Sequence, residues 1–262
     1  MADLPRRWPW LLRGFRRYAR RYVRRHFHAV RLSKASAPLP PAGPLLVVLN
    51  HPSWWDPLVG LVLSDALAGR DQFAAIDAAA VNQYRFFARL GFVGVDPASF
   101  RGAADFLRVG QLILGEPNRV LWVTAQGRFA DVRERPLGLR SGVGHLAARM
   151  TRGAVVPLAL EYAFWDERTP EALARWGEPL RVADHPGLDG KAWTRLVEDA
   201  LTRTLDGLNA DSISREPERF TTVLDGVTGV GGVYDLWRRA RALVRGERFD
   251  PSHAAAVRKE RP

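Results

Sequence analysis

The feature that most constrains this chain is a series of short apolar runs, at residues 45–49, 73–76, 91–95, 119–124 and 154–160. Leu45–Leu49 is continuously apolar and leaves no side for water, so it reads as a strand covered on both faces, and the other four runs read as further strands. Helical stretches stand between them at 57–67, 85–90, 103–114 and 142–150, and a further one begins near Lys191. Strand and helix alternating at this spacing predict an α/β fold, a mostly parallel central sheet flanked by helices. In such a sheet the chemistry gathers beyond the carboxyl ends of the strands. His51 follows the first run and Gln126-Gly127-Arg128 follow the fourth, so both segments are expected at one edge.

Charge divides the chain differently. The 39 Lys and Arg exceed the 28 Asp and Glu by eleven. Residues 1–34 hold eleven of the bases and one acid, Asp3, so nearly all of the excess lies there and the remainder is almost neutral. Within this arm Trp8, Leu11, Leu12, Phe15, Tyr18, Tyr22, Val23, Phe27 and Val30 recur at steps of three and four, with arginines between them. Wound as a helix, they form an aromatic stripe opposite an arginine face. A nucleic-acid arm needs the arginines but not the stripe; a helix lying among lipid headgroups needs both, and packing of the stripe on the body is the plainer alternative. The arm is therefore expected to meet an anionic membrane surface rather than nucleic acid. It holds no run of the roughly 20 apolar residues that spanning requires, and no signal-peptide core. The predicted organisation is an arm at 1–34, a proline-rich linker at 35–44 and an α/β domain at 45–224. A glycine-rich loop, a second basic amphipathic helix around 233–244 and a tail complete 225–262.

The chain has no cysteine, which excludes disulfides, thiolate metal sites and an acyl-cysteine intermediate. No pair of histidines has metal-ligand spacing, so no metal is expected. His145 reads as a packed histidine. The segment Asn50-His51-Pro52-Ser53-Trp54-Trp55-Asp56 carries the strongest chemical signal. A spacing of five brings His51 and Asp56 together if a turn holds His51 and a helix begins just after Asp56, which then sits at the cap with Pro57 in the first turn. A carboxylate on one imidazole nitrogen leaves the other as a base near neutral pH. Ser53 lies too close in sequence to align as a nucleophile with both. Trp54 and Trp55 fit a channel or the core equally well.

Taken with its surroundings, this segment resembles the first motif of the glycerolipid acyltransferase family, which includes lysophosphatidic acid acyltransferases. Gly91-Phe92-Val93-Gly94-Val95-Asp96 is similar to the second motif, Ala125-Gln126-Gly127-Arg128 stands at the third, and Val155-Val156-Pro157-Leu158-Ala159 is similar to the fourth. The resemblance implies transfer of an acyl group from acyl-CoA or an acyl carrier protein to a hydroxyl of a lipid, with His51 as base and Asp56 as its orienter. It implies no cofactor, and acceptor or anion contacts from Arg101, Gln126, Gly127 and Arg128. Arg128 replaces the family's threonine and Pro97 the arginine after the second motif, with Arg101 and Arg128 suited to a phosphate. Gln126 replaces the glutamate, and the lost charge and added donor favour a neutral acceptor such as a glycolipid. The expected location is peripheral, on the cytoplasmic face of a membrane. The alternative is a lipid-surface binding protein that keeps the fold without the reaction.

Overall fold

The computed structural model describes residues 4–96 and 99–229. In chain order the elements are α1 (Pro9–His26), β1 (Ala29–Ser33), β2 (Leu45–Leu49), α2 (Asp56–Leu63), β3 (Asp71–Asp77), α3 (Ala78–Gln83), α4 (Phe86–Leu90), β4 (Phe92–Val95) and α5 (Phe100–Leu114). They continue with β5 (Arg119–Thr124), α6 (Gly142–Ala147), β6 (Ala154–Ala163), β7 (Glu171–Trp176), β8 (Leu180–Arg181), α7 (Gly190–Ser214) and β9 (Phe220–Asp225). The strands form one sheet in the order β4-β3-β5-β2-β6-β7-β1-β9, with β8 beside β6. From β4 to β6 every neighbour is parallel. Antiparallel pairing enters where β7 returns beside β6 and where β9 closes on β1.

The central strand shows why the apolar runs carry so much information. All five residues of β2 are buried. Leu46 and Val48 face a layer containing Ile113 of α5, Leu146 of α6 and Val197 of α7. Leu45, Val47 and Leu49 face the other layer, with Val23 of α1 and Val59 of α2. The helices start where local chemistry permits. Ser99 caps α5 by accepting from the Gly102 amide at 3.0 Å, and Asp189 caps α7 by accepting from Ala192 at 2.7 Å. Pro9 opens α1, whose last turn holds Arg24, Arg25 and His26 against the negative end of the dipole.

The predicted strands are present, with β3 and β6 longer than expected. The predicted helix at 57–67 is shorter, ending at Leu63 and tightening into a 3₁₀ turn over Ser64–Leu67. The larger correction concerns the arm, which is not one helix separated by a linker from the body. Its helix stops at His26, and Ala29–Ser33 form a strand inside the sheet, parallel to β7 and antiparallel to β9. Ala29 and Val30 are buried there, so Ala29–Ser33 belong to the sheet of the α/β domain. The aromatic stripe also packs inward over part of its width: Ala19, Val23 and Phe27 are buried, and Phe15 and Tyr22 half-buried. Tyr18 and Trp10 stay exposed.

The start of the glycine-rich run is likewise ordered. The Gly226 and Val227 amides donate to His28 and Phe27 carbonyls at 2.8 and 2.9 Å, and a Cβ on Gly226 would strike the Phe27 carbonyl. The predicted helix around 233–244 and the tail lie outside the described residues. Among the described residues, no helix is long and apolar enough to cross a membrane.

Candidate active site

The site begins where β2 runs out. Asn50, buried beyond Leu49, clasps β6 by donating to the Leu160 carbonyl at 2.9 Å and accepting from the Leu160 amide at 2.8 Å. The backbone of His51 is then fixed on both sides. Its amide donates to Gln126 Oε1 at 2.9 Å, and its carbonyl accepts from the Ala130 amide at 3.0 Å. Residues 52–55 turn the chain, and α2 carries Asp56 back toward the histidine.

His51 Nδ1 and Asp56 Oδ2 lie 2.5 Å apart. Asp56 is 1% exposed, and it is surrounded by donors. The Ser53 amide donates to Oδ2 at 3.2 Å and the Tyr162 hydroxyl to Oδ1 at 2.7 Å. A carboxylate oxygen accepts, so its contact with Nδ1 assigns the proton of the neutral imidazole to Nδ1 and leaves the Nε2 lone pair free. The Tyr162 hydroxyl is held well above the usual phenol range, first by burial and then by the negative charge of Asp56. It therefore stays a donor throughout the neutral range. Asp56 does not cap the helix as the spacing predicts. The helix begins at Asp56 itself with Trp55 in the cap position, and the carboxylate reaches the turn before the helix instead of an amide within it.

A cavity of about 480 Å³ opens beside the dyad. His51, Trp54 and Phe129 line it together with Ser64 and Gln72, and Leu12 and Phe15 of α1 form part of the wall. Ser64 lies eight residues beyond Asp56 along α2 and its final turn, about 12 Å at 1.5 Å per residue. The size is that of a small-molecule site, and the lining is mainly aliphatic and aromatic. Trp54 and Trp55 divide the two roles that the sequence offers them. Trp54 is 61% exposed at the mouth, whereas Trp55 packs with Phe27 and Tyr22 at ring distances of 4.9 and 5.5 Å.

The remaining candidates are placed differently from one another. Gln126 is buried, and both ends of its amide are engaged: Oε1 accepts from His51, and Nε2 donates to the Leu137 carbonyl at 3.1 Å. It braces the dyad from behind and does not line the cavity. Gly127 adopts φ +63°, and a Cβ there would run into the Arg140 side chain. Arg128 projects outward and pairs with Glu134, whose carboxyl the guanidinium holds below its ordinary value. Arg101 sits exposed in the first turn of α5 and is not part of the cavity wall. His145 is exposed beside Gly190, not packed in a core as the sequence suggests. Sequence reasoning missed Tyr162, Phe129 and the use of α1 as a cavity wall. Tyr162 lies two residues past Leu160 and four past Leu158 on β6, so alternation along the strand puts it on their face and is the signal that finds it.

The His and Asp pair thus stands at the carboxyl edge of a largely parallel sheet, where such folds gather their chemistry. The sequence profile of the Acyltransferase family matches residues 31–161, half of the chain, and the chain belongs to that family. Among solved structures its fold is similar to the crystal structure of the 1-acyl-sn-glycerophosphate (LPA) acyltransferase, PlsC, from Thermotoga maritima. The two are 16% identical over 77% of this chain and 80% of that one, with a TM-score of 0.53. No curated protein sequence matches the chain.

Proposed function

We propose that this acyltransferase moves a fatty acyl group from acyl-CoA or acyl carrier protein to a hydroxyl of a membrane lipid. The observation that carries the reading is the 2.5 Å pair of His51 with buried Asp56 at the mouth of an apolar cavity. The acyl chain lies in the cavity with its thioester at the His51 end. Nε2 takes the proton of the acceptor hydroxyl as the oxygen attacks the thioester carbon, and Asp56 stabilises the resulting imidazolium. The carbon–sulfur bond breaks, and the sulfur leaves with that proton as the free thiol. No acyl-enzyme forms.

The acceptor is lysophospholipid-like or glycolipid-like, and two features favour a neutral one. Gln126 adds no charge to the site, and Arg128 is already paired with Glu134. The protein works at the cytoplasmic face of a membrane, held peripherally. Arg13, Arg17, Arg21 and Trp10 share the exposed face of α1, with Tyr18 at its flank, and this face suits anionic headgroups.

The test is the release of thiol from hexadecanoyl-CoA and from the matching acyl carrier protein in the presence of a total lipid extract, with the labelled lipid then identified. Thiol release and a labelled lipid that both vanish in His51→Ala support the reading. Lipid binding with no turnover on either donor refutes it in favour of a binding protein.

A further inference from the structure

Phe129 makes no hydrogen bond to the dyad through its side chain, yet the loop that carries it is fixed to His51. Its ring lies 4.4 Å from the imidazole, inclined at 40°. The neighbouring Ala130 amide donates to the His51 carbonyl at 3.0 Å. Gln126, three residues earlier, is locked between the His51 amide and the Leu137 carbonyl. Arg128 donates to the Phe129 carbonyl at 3.3 Å while also binding Glu134. Phe129 is 58% exposed, so it contributes little to the core; its ring meets the base and lines the cavity.

The dyad alone does not choose its substrate. With the proton on Nδ1, the free Nε2 accepts from any hydroxyl that reaches it, and water is the most abundant. Discrimination against water then falls to the groups beside the imidazole, where an apolar ring offers a water molecule no hydrogen bond.

We infer that Phe129 is a positioning residue that keeps water off the His51 base, and that the site without it is an acyl-thioester hydrolase. The inference rests on the acyl-transfer reading above. In transfer, the acceptor O–H proton passes to Nε2, a carbon–oxygen ester bond forms, the carbon–sulfur bond breaks, and the thiol leaves with the proton. In hydrolysis, water stands in for the acceptor, the same bond to sulfur breaks, and the products are a free fatty acid and the same thiol. No oxidant or further reactant is needed.

The experiment measures thiol, free fatty acid and acylated lipid together, using hexadecanoyl-CoA or the matching acyl carrier protein, with and without a total lipid extract. Phe129→Ala should raise acceptor-free thiol release several-fold over wild type and raise the free-acid share when lipid is present. Phe129→Leu, which restores an apolar cover, should stay near wild type. His51→Ala in the Phe129→Ala background should abolish the new hydrolysis, which ties it to the same base. A Phe129→Ala protein that transfers more slowly with an unchanged ratio of acid to lipid product overturns the inference while leaving the acyl-transfer reading intact. A wild-type protein that consumes neither donor removes that reading, and this inference with it. Because the ring is more than half exposed, the variants should fold; near-ultraviolet circular dichroism checks this, and the product ratio is independent of the amount of active protein.

Discussion

Asp56 holds its geometry through three donors, so the residue scale offers sharp forecasts. Asp56→Asn replaces one accepting oxygen with a donor and cannot stabilise an imidazolium. Turnover should fall by about 10⁴, the scale seen when a triad aspartate is amidated, with urea unfolding confirming a folded variant. Near-normal turnover would break the proposed pairing. Tyr162→Phe is subtler. It removes the donor to Asp56 Oδ1, so the carboxylate keeps more negative charge for the imidazole. The proton on His51 is then held more tightly, and the acid limb of kcat/KM should move to higher pH. Lost activity with an unmoved limb would mean that Tyr162 acts through packing alone. Gln126→Glu restores the family's residue but not its role. A carboxylate still accepts from His51 but cannot donate to the Leu137 carbonyl, which is left unsatisfied in a buried place. Stability should drop by about 1–3 kcal/mol, read as a lower urea midpoint at unchanged slope, with no gain in activity on a phosphate-bearing acceptor.

At the scale of the element, α1 has two faces with separate duties. The inner face contributes Ala19 and Val23 to the core and Leu12 and Phe15 to the cavity wall. Arg16 and Arg20 are tied to Asp65 of the 3₁₀ turn, Arg16 also bonding Ser64 at 3.0 Å, which leaves Arg13, Arg17 and Arg21 on the outer face. Deleting residues 1–34 therefore removes an internal strand as well as the helix and should give an aggregating product, not a neutral soluble body. Point substitutions are the cleaner probe of membrane contact. Changing Arg13, Arg17 and Arg21 to Gln should weaken binding to anionic liposomes by about 1 kcal/mol per residue close to the surface and flatten its salt dependence. Trp10→Ser with Tyr18→Ser should weaken binding at every salt concentration, since an apolar contribution is not screened. Liposome sedimentation over a salt series separates the two. Unchanged sedimentation for both sets would show that this face is not the anchor. Elsewhere α6 crosses α7 at Gly144, where a Cβ would strike Thr194 and the Gly190 carbonyl. Gly144→Ala should cost about 1–3 kcal/mol through forced displacement of the helices, measured by thermal unfolding.

Seen as a whole molecule, the cavity joins elements that are distant in sequence. His51, Trp54 and Phe129 line it from two different loops, and part of its wall comes from a helix that also carries the basic surface. Under the proposed function, chemistry and membrane contact share one element. Turnover of the α1 surface variants should consequently fall more on a bilayer-embedded acceptor than on a detergent-solubilised one. Equal losses in both assays would place the defect in the site instead.

The sequence by itself determined the fold class, because runs such as Leu45–Leu49 have no polar side to show to water. It also determined the His51 and Asp56 pair, since the contact is local and a turn followed by a helix closes it over five residues. Those signals are short-range. The tertiary structure alone decided the rest, where partners are far apart along the chain. Tyr162 reaches Asp56 only because β6 lies beside β2. Phe129 reaches His51 only because β5 pairs with β2 and its following loop bonds back. The resemblance implies Gln126 as an acceptor contact, whereas folding turns its amide inward to two backbone groups. The periodicity of α1 was legible, but periodicity fixes which residues share a face, not what covers it. The pairing of β1 between β7 and β9 brings that helix back onto the body, and so places its apolar face against the core and the cavity.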